Sequence, residues 1–192
     1  EKAPLEPNGA YGTSKMKAER LFREYAEEVP EMSCVILRPS IIFGPGHFSY
    51  TNVHRLIEAI RGNRFLMVGE GEAIKTTSYI ENVMAATLHL GERRSKGIQT
   101  YIYVDEPVRT TEELVDDIYR LLGKRRPGVR IPLRLAKSIA WIVDVAADWT
   151  GINFPITAAR IEKFNTSTNY YASAIRKEGF KQSVGIEEAL QK

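Results

Sequence analysis

The sequence predicts an α/β fold, with a parallel sheet in its first half and a mostly helical second half that forms a separate lobe or cover. Three observations predict it. Cys34-Val35-Ile36-Leu37 is a short unbroken apolar run, the pattern of a strand covered on both faces. Segments with helical spacing of apolar residues alternate with such strand-like runs up to residue 104. Beyond Thr110 nearly every segment reads as helix.

Pro4-Leu5-Glu6-Pro7-Asn8-Gly9 is rich in turn formers and reads as a loop. A helix follows from about Tyr11 to Glu28, with Ala18, Leu21, Phe22, Tyr25 and Ala26 as its expected buried stripe, and Pro30 ends it. The Cys34–Leu37 strand runs into Arg38-Pro39-Ser40-Ile41-Ile42-Phe43 and the turn Gly44-Pro45-Gly46. A second helix covers about Asn52 to Arg61, with Val53, Leu56, Ile57 and Ile60 on one face. Phe65–Val68 is expected as a strand closed by Gly69-Glu70-Gly71, and Thr77–Ile80 as a short strand leading to a helix over Val83–Leu90. Tyr101–Val104 is a further strand. Thr110 then caps a helix to Leu122, with Glu113 at capping-box spacing and Gly123 as its stop. Helices are expected over Leu133–Thr150, Ala158–Phe164, Ala172–Glu178 and Gly185–Leu190, and the Tyr170-Tyr171 pair is expected to pack.

The 192 residues, 43% hydrophobic and 27% charged, suffice for one core or two small lobes and exclude a disordered tail. No window approaches the roughly 18 apolar residues of a membrane span. The single Cys34 has no partner for an internal disulfide and fits a reducing, cytoplasmic setting. His47, His54 and His89 show no metal-ligand spacing. The chain opens on Glu1-Lys2-Ala3-Pro4 without an initiator Met, and we expect a piece of a longer protein.

Tyr11 and Lys15 are four apart at the start of a helix, which puts both side chains on one face. A phenol titrates near 10, and an ammonium held beside it favours the phenolate, so such a pair suits acid/base work on a hydroxyl or carbonyl. With nine tyrosines in the chain, chance supplies roughly half a pair at this spacing, so the pair alone decides nothing. From Arg120 to Lys137 the chain carries seven basic residues and no acid, followed by an apolar pattern of Leu135, Ile139, Ile142 and Val143 with Trp141 and Trp149. An anionic membrane surface is one reading of that run. A solvated face beside a packed helix is the expected one, so no membrane partner is expected. No aromatic residues interleave with the bases, which argues against nucleic acid.

Context gives the pair its meaning. Tyr11-Gly12-Thr13-Ser14-Lys15 follows a Pro-Leu-x-Pro loop, and Leu37-Arg38-Pro39-Ser40-Ile41-Ile42-Phe43-Gly44-Pro45-Gly46 comes one helix later. With Val68-Gly69-Glu70-Gly71, Tyr79-Ile80-Glu81-Asn82-Val83 and the close Gly179-Phe180 … Gly185-Ile186-Glu187-Glu188-Ala189-Leu190, the sequence resembles the extended short-chain dehydrogenase/reductase superfamily, particularly its nucleotide-sugar epimerases and dehydratases. The resemblance implies the C-terminal part of a Rossmann-like parallel sheet (residues 1–48 and 79–105) plus a smaller, mostly helical substrate-binding lobe (49–78 and 106–192). It implies NAD or NADP as cofactor, a nucleotide sugar as substrate and pairing through the helix that carries Tyr11 and Lys15. Tyr11 would be the catalytic acid/base, and Lys15 would lower its pKa and bond the nicotinamide ribose. The backbone after Pro39, with Ile41 and Ile42, would line the nicotinamide, and Ser40 stands where many members place a substrate-contacting Asn.

Two parts of the family pattern are missing. The 14 glycines contain no GxGxxG or GxxGxxG to cradle a pyrophosphate. The family's catalytic Ser or Thr lies upstream of the Pro-Leu-x-Pro loop, outside these residues, and Thr13 and Ser14 read as hydroxyls of the helix start rather than replacements. Where members present an Arg to the substrate diphosphate, Lys75 stands nearest, without the bidentate fork of a guanidinium. The second Arg position falls in Asn165–Tyr171, which has none, leaving Arg160 as a substitute or a plain helix residue. The resemblance implies oxidation of a sugar hydroxyl, with epimerisation or dehydration following. The alternatives are an oxidoreductase resembling 3β-hydroxysteroid dehydrogenases, or a non-catalytic lobe that binds substrate or pairs with another subunit.

Overall fold

The computed structural model describes residues 9–46, 51–93, 95–150 and 158–192, without the side chains of 142–150, 158–160 and 163. The loop before Gly9, His47 and the side chains of Arg160, Ile142, Val143 and Trp149 lie outside the described residues.

The apolar run at Cys34 lies inside β1 (Ser33–Pro39), which pairs in parallel with β6 (Gly97–Tyr103) from Ser33↔Gly97 to Pro39↔Tyr103. Every residue from Cys34 to Pro39 is half-buried, consistent with cover on both faces. At Ser40 the chain changes partner. Ser40 N–H donates to the Tyr103 carbonyl at 3.0 Å, and β2 (Ile41–Phe43) then pairs in parallel with β5 (Thr77–Tyr79). Asp105 N–H donates to the Thr77 carbonyl, so the two ladders join at the carboxyl ends of β1 and β6. β2 was not expected as a strand, because Ser40 breaks the apolar run and three residues are too few for a period to show.

Helix α1 (Gly9–Glu28) forms as expected, but its apolar stripe does not bury. Leu21, Phe22 and Tyr25 are 65%, 50% and 55% exposed, and no residue of α1 is fully buried. The cause is rotation of the helix about its axis. Glu19 and Arg23 bond Arg38 on β1 and Thr100 on β6, so this polar side faces the sheet and the stripe turns away.

Helices α2 (Asn52–Arg61) and α3 (Ile80–Gly91) flank the short strands β3 (Met67–Val68), β4 (Ile74–Lys75) and β5. β4 pairs antiparallel with β7 (Arg109–Thr110), and β3 pairs in parallel with β8 (Arg130–Ile131). Two-residue strands leave no periodic trace, which is why β4, β7 and β8 escape a sequence reading. Helix α4 (Thr111–Leu121) carries the expected capping box: Thr110 Oγ1 accepts from Glu113 N–H, and Glu113 accepts from Thr110 N–H. Helices α5 (Leu133–Thr150), α6 (Ala158–Asn165), α7 (Ser173–Lys177) and α8 (Ile186–Gln191) match the expected helical second half. Tyr170 and Tyr171 are exposed rather than packed, with Asn169 donating to the Tyr171 hydroxyl.

The described core falls into clusters that straddle these elements. Val83, Ala86 and Leu90 of α3 meet Tyr101 and Tyr103 of β6 and Ala172, Ile175 and Phe180 around α7. Phe43 and Tyr79 pack with Val53 and with Val184, Ile186 and Ala189 near the end of the chain. Ile60 and Met67 pack with Leu114, Val115 and Ile118 of α4. Gly44 is required where it stands: its φ is +147°, and a Cβ there would collide with Ile80 Cγ2, so the turn after β2 presses on the first residue of α3.

A buried polar knot sits just past β6. The Asp105 carboxylate accepts from Tyr79 N–H (2.5 Å), Asn82 Nδ2 (3.0 Å) and the Tyr103 hydroxyl (2.8 Å). Asn82 in turn exchanges hydrogen bonds with the backbone of Val184. Asp105→Ala leaves three buried donors unpaired, so it should cost about 3 kcal/mol or more. Thr110→Ala, which removes one exposed cap, should cost about 1 kcal/mol. Urea unfolding of both variants checks the order; a smaller loss for the Asp105 variant would contradict the role given to the knot.

Candidate active site

Tyr11 and Lys15 lie in the first turns of α1 and meet as the spacing predicts. Lys15 Nζ sits 5.4 Å from the centroid of the Tyr11 ring. Tyr11 is 76% exposed, so its phenol is open to a ligand. Thr13 Oγ1 donates to the Gly9 carbonyl and Ser14 Oγ to the Tyr11 carbonyl, so both hydroxyls bond back into the helix.

The other candidate segment is the partner change at Ser40. Pro39, Ser40, Ile41 and Ile42 are half-buried at the carboxyl end of β1. The Ile42 side chain packs on the α3–β6 core and Ile41 on the Phe43–Tyr79 core, so the backbone between them is held from two sides. The Ser40 and Ser78 hydroxyls lie 2.9 Å apart, and Ser78 Oγ also donates to the Tyr103 carbonyl at 3.1 Å. The end of a parallel strand where the chain changes partner is where open α/β sheets bind ligands.

An ion pair that sequence reasoning missed ties the two segments together. Arg38, next to Pro39, makes a two-pronged contact with Glu19, its Nε donating to Oε1 at 2.8 Å and its Nη2 to Oε2. Glu19 is one turn beyond Lys15, so Tyr11, Lys15 and Glu19 form one column along the helix. The guanidinium holds the Glu19 carboxyl below the usual carboxylate range, and the carboxylate raises Arg38 in return. Arg23 Nη2 adds a 2.9 Å bond to Thr100 Oγ1 on β6. The i+4 repeat from Lys15 to Glu19 was a visible signal, but nothing in the sequence named Arg38 as its partner.

Lys75 lies apart from this cluster in the contacts it makes. Its Nζ donates to the Thr166 carbonyl at 2.6 Å, and its strand bridges to Thr168. Among the described residues no group of three or more His, Cys, Asp or Glu is placed to hold a metal.

A family model for the NAD dependent epimerase/dehydratase family matches residues 1–104. The chain belongs to this family. It is 31% identical over 196 residues to the N-acetyl-alpha-D-glucosaminyl-diphospho-ditrans,octacis-undecaprenol 4-epimerase of Escherichia coli O157:H7, which covers 100% of this chain and 59% of that protein. It is 27% identical to the 3beta-hydroxysteroid-dehydrogenase/decarboxylase isoform 1 of Arabidopsis thaliana, over 98% of this chain and 46% of that one. The UDP-glucuronic acid 4-epimerase of Bacillus cereus, solved in complex with NAD, superposes with a TM-score of 0.70 at 17% identity, over 100% of this chain and 52% of that one. The chain spans about half the length of the curated relatives it matches. The α/β architecture with parallel strand pairs is the Rossmann-like fold of this family.

The Arg38–Glu19 contact is mostly shielded from water, so Glu19→Gln should lower stability at neutral pH by about 1–2 kcal/mol. Because the folded Glu19 titrates below its unfolded value, its contribution is full above about pH 4.3 and fades as pH falls through the folded value. Urea unfolding of wild type and variant should therefore show a gap that closes on acidification. A gap that stays constant or widens in acid would contradict the pairing.

Proposed function

We propose that the whole protein oxidises a hydroxyl of a sugar carried on a diphosphate, as an NAD(P)-dependent epimerase or dehydratase, with Tyr11 as its acid/base. The observation that carries this reading is the contact of Lys15 with Tyr11 on a helix tied by Arg38–Glu19 to the Pro39–Ile42 segment. The residues fit the nicotinamide end of a dinucleotide: a half-buried backbone backed by Ile41 and Ile42, with an ammonium on the helix beside it. When bound, the nicotinamide accepts hydride from the substrate carbon.

In this reading the chain's own residues do the remaining work. The Tyr11 phenolate takes the hydroxyl proton, and Lys15 stabilises the negative charge of that phenolate. Lys15 also orients the ribose, and the Pro39–Ile42 backbone positions the nicotinamide. Ser40, held by Ser78, offers a hydroxyl to the substrate. Lys75 is the nearest candidate for the diphosphate, as a point charge already bonded to the Thr166 carbonyl.

Pairing of two copies through α1 fits the same reading. Leu21, Phe22 and Tyr25 leave an apolar face open in the second half of the helix that carries Tyr11 and Lys15. Leu21→Glu with Phe22→Glu should shift the whole protein from dimer to monomer in equilibrium sedimentation, and an unchanged mass would remove α1 from that role.

A second reading, oxidation of a steroid-like alcohol, is favoured by the Arabidopsis relative and by the absence of Arg from Asn165–Tyr171. Turnover assays on UDP-sugars, polyprenyl-diphosphate sugars and 3β-hydroxysteroids separate the two. Tyr11→Phe in the whole protein should lower turnover at least about a hundredfold while NAD affinity changes by less than about twofold. Retained turnover would take the acid/base role from Tyr11.

A further inference from the structure

Ser40 and Ser78 form a relay of hydroxyls with a single direction. The Tyr103 carbonyl accepts twice, from Ser40 N–H at 3.0 Å and from Ser78 Oγ at 3.1 Å. A carbonyl has two lone pairs, so this acceptor is full. It has no proton to give, so the Ser78 hydroxyl is the donor in that bond. Ser78 is completely buried and has only one hydroxyl proton. The 2.9 Å contact between the two hydroxyls therefore uses the proton of Ser40. The reverse order, with Ser78 donating to Ser40, would give up the bond to Tyr103 and make one bond where the structure provides two. Donation runs from Ser40 to Ser78 to Tyr103.

This order fixes what Ser40 offers a ligand. Its proton is held by Ser78, and its lone pairs remain. Among the described residues no further group is bonded to the Ser40 hydroxyl, and the residue is half-buried where Ser78 is not exposed at all. The two serines are also held in register. Ser78 pairs with Ile42 across β2 and β5, and Ile41 and Ile42 pack in two different cores.

We propose that Ser78 is a positioning residue that makes Ser40 a hydrogen-bond acceptor, so that the site selects substrates with an O–H or amide N–H donor at a sugar carbon that is not oxidised. The inference rests on the reaction proposed above. In that reaction the attacked hydroxyl gives its proton to Tyr11, its carbon gives hydride to the nicotinamide, and the oxygen becomes a carbonyl. A carbonyl cannot donate, so an acceptor facing that oxygen would lose its bond during turnover. A neighbouring hydroxyl or amide keeps its hydrogen throughout and suits Ser40. Such a contact is equal in the ground and transition states, so it acts on KM rather than kcat. An ether, fluorine or ester oxygen at the same place would set lone pairs against lone pairs and be rejected.

The test uses the whole protein with UDP-glucose, UDP-N-acetylglucosamine and a polyprenyl-diphosphate N-acetylglucosamine. Each is compared with analogues in which one hydroxyl is replaced by fluorine, or the acetamide by an acetate ester. At one position the loss of the donor should raise KM about tenfold and leave kcat within about twofold. Ser40→Ala should raise KM for the parent sugar to that of the analogue. Ser78→Ala frees the Ser40 proton and should cut the ratio of the two KM values from about ten to below about three. A merely structural loss would raise both KM values together and leave their ratio unchanged, and urea unfolding verifies that the variants keep the fold. Neutron diffraction from deuterium-exchanged crystals reads the relay without any substrate, with deuterons expected on Ser40 toward Ser78 and on Ser78 toward Tyr103. A Ser78 deuteron directed at Ser40, or a KM ratio indifferent to both variants on a sugar that is turned over, would overturn the proposal and leave the reaction standing. Absence of turnover on every sugar diphosphate would overturn the reaction and the selection with it, and the neutron map would still decide the relay.

Discussion

The buried carboxylate of Asp105 is the constraint on which the rest of the described structure hangs. It sits just past the end of β6 and takes hydrogen bonds from three places: the first turn of α3, the end of β5 and the end of β6 itself. Through Asn82 it also reaches Val184, which brings the last segment of the chain onto the same point. Burial alone pushes this carboxyl up, and the three donors act against that. Such a group is costly if any donor is lost and rigidifying when all are present. It therefore fixes where the ladders of β1–β6 and β2–β5 meet, and with them the backbone at Ser40.

That junction explains how exposed and fixed residues coexist at the candidate active site. Ser40 is locked by its neighbours: its N–H is taken by Tyr103, its hydroxyl lies against Ser78, and the flanking Ile41 and Ile42 are packed in two different cores. Tyr11 is the opposite, an exposed ring on a helix with no buried residue. The Arg38–Glu19 contact links them. A guanidinium beside Pro39 grips a carboxylate one turn beyond Lys15, so the helix position follows from the strand position. A bidentate pair suits this because it resists rotation as well as separation, which a Lys in place of Arg38 would not do.

The sequence disclosed those parts whose physics is local. The Thr110–Glu113 box, the helices at Asn52, Leu133 and Ala158 and the apolar run at Cys34 all follow from near-neighbour patterns, and all are present. The Tyr11–Lys15 contact is an i,i+4 relation and was legible for the same reason. What the sequence concealed depends on partners far along the chain. Two-residue strands such as β4 and β8 exist because of what they pair with. The choice of Arg38 for Glu19 spans 19 positions, and the link from Asn82 to Val184 spans 102. The α1 stripe shows the limit most plainly: the spacing of Leu21, Phe22 and Tyr25 gives a face but not its direction, and the polar grip on Arg38 and Thr100 sets that direction outward.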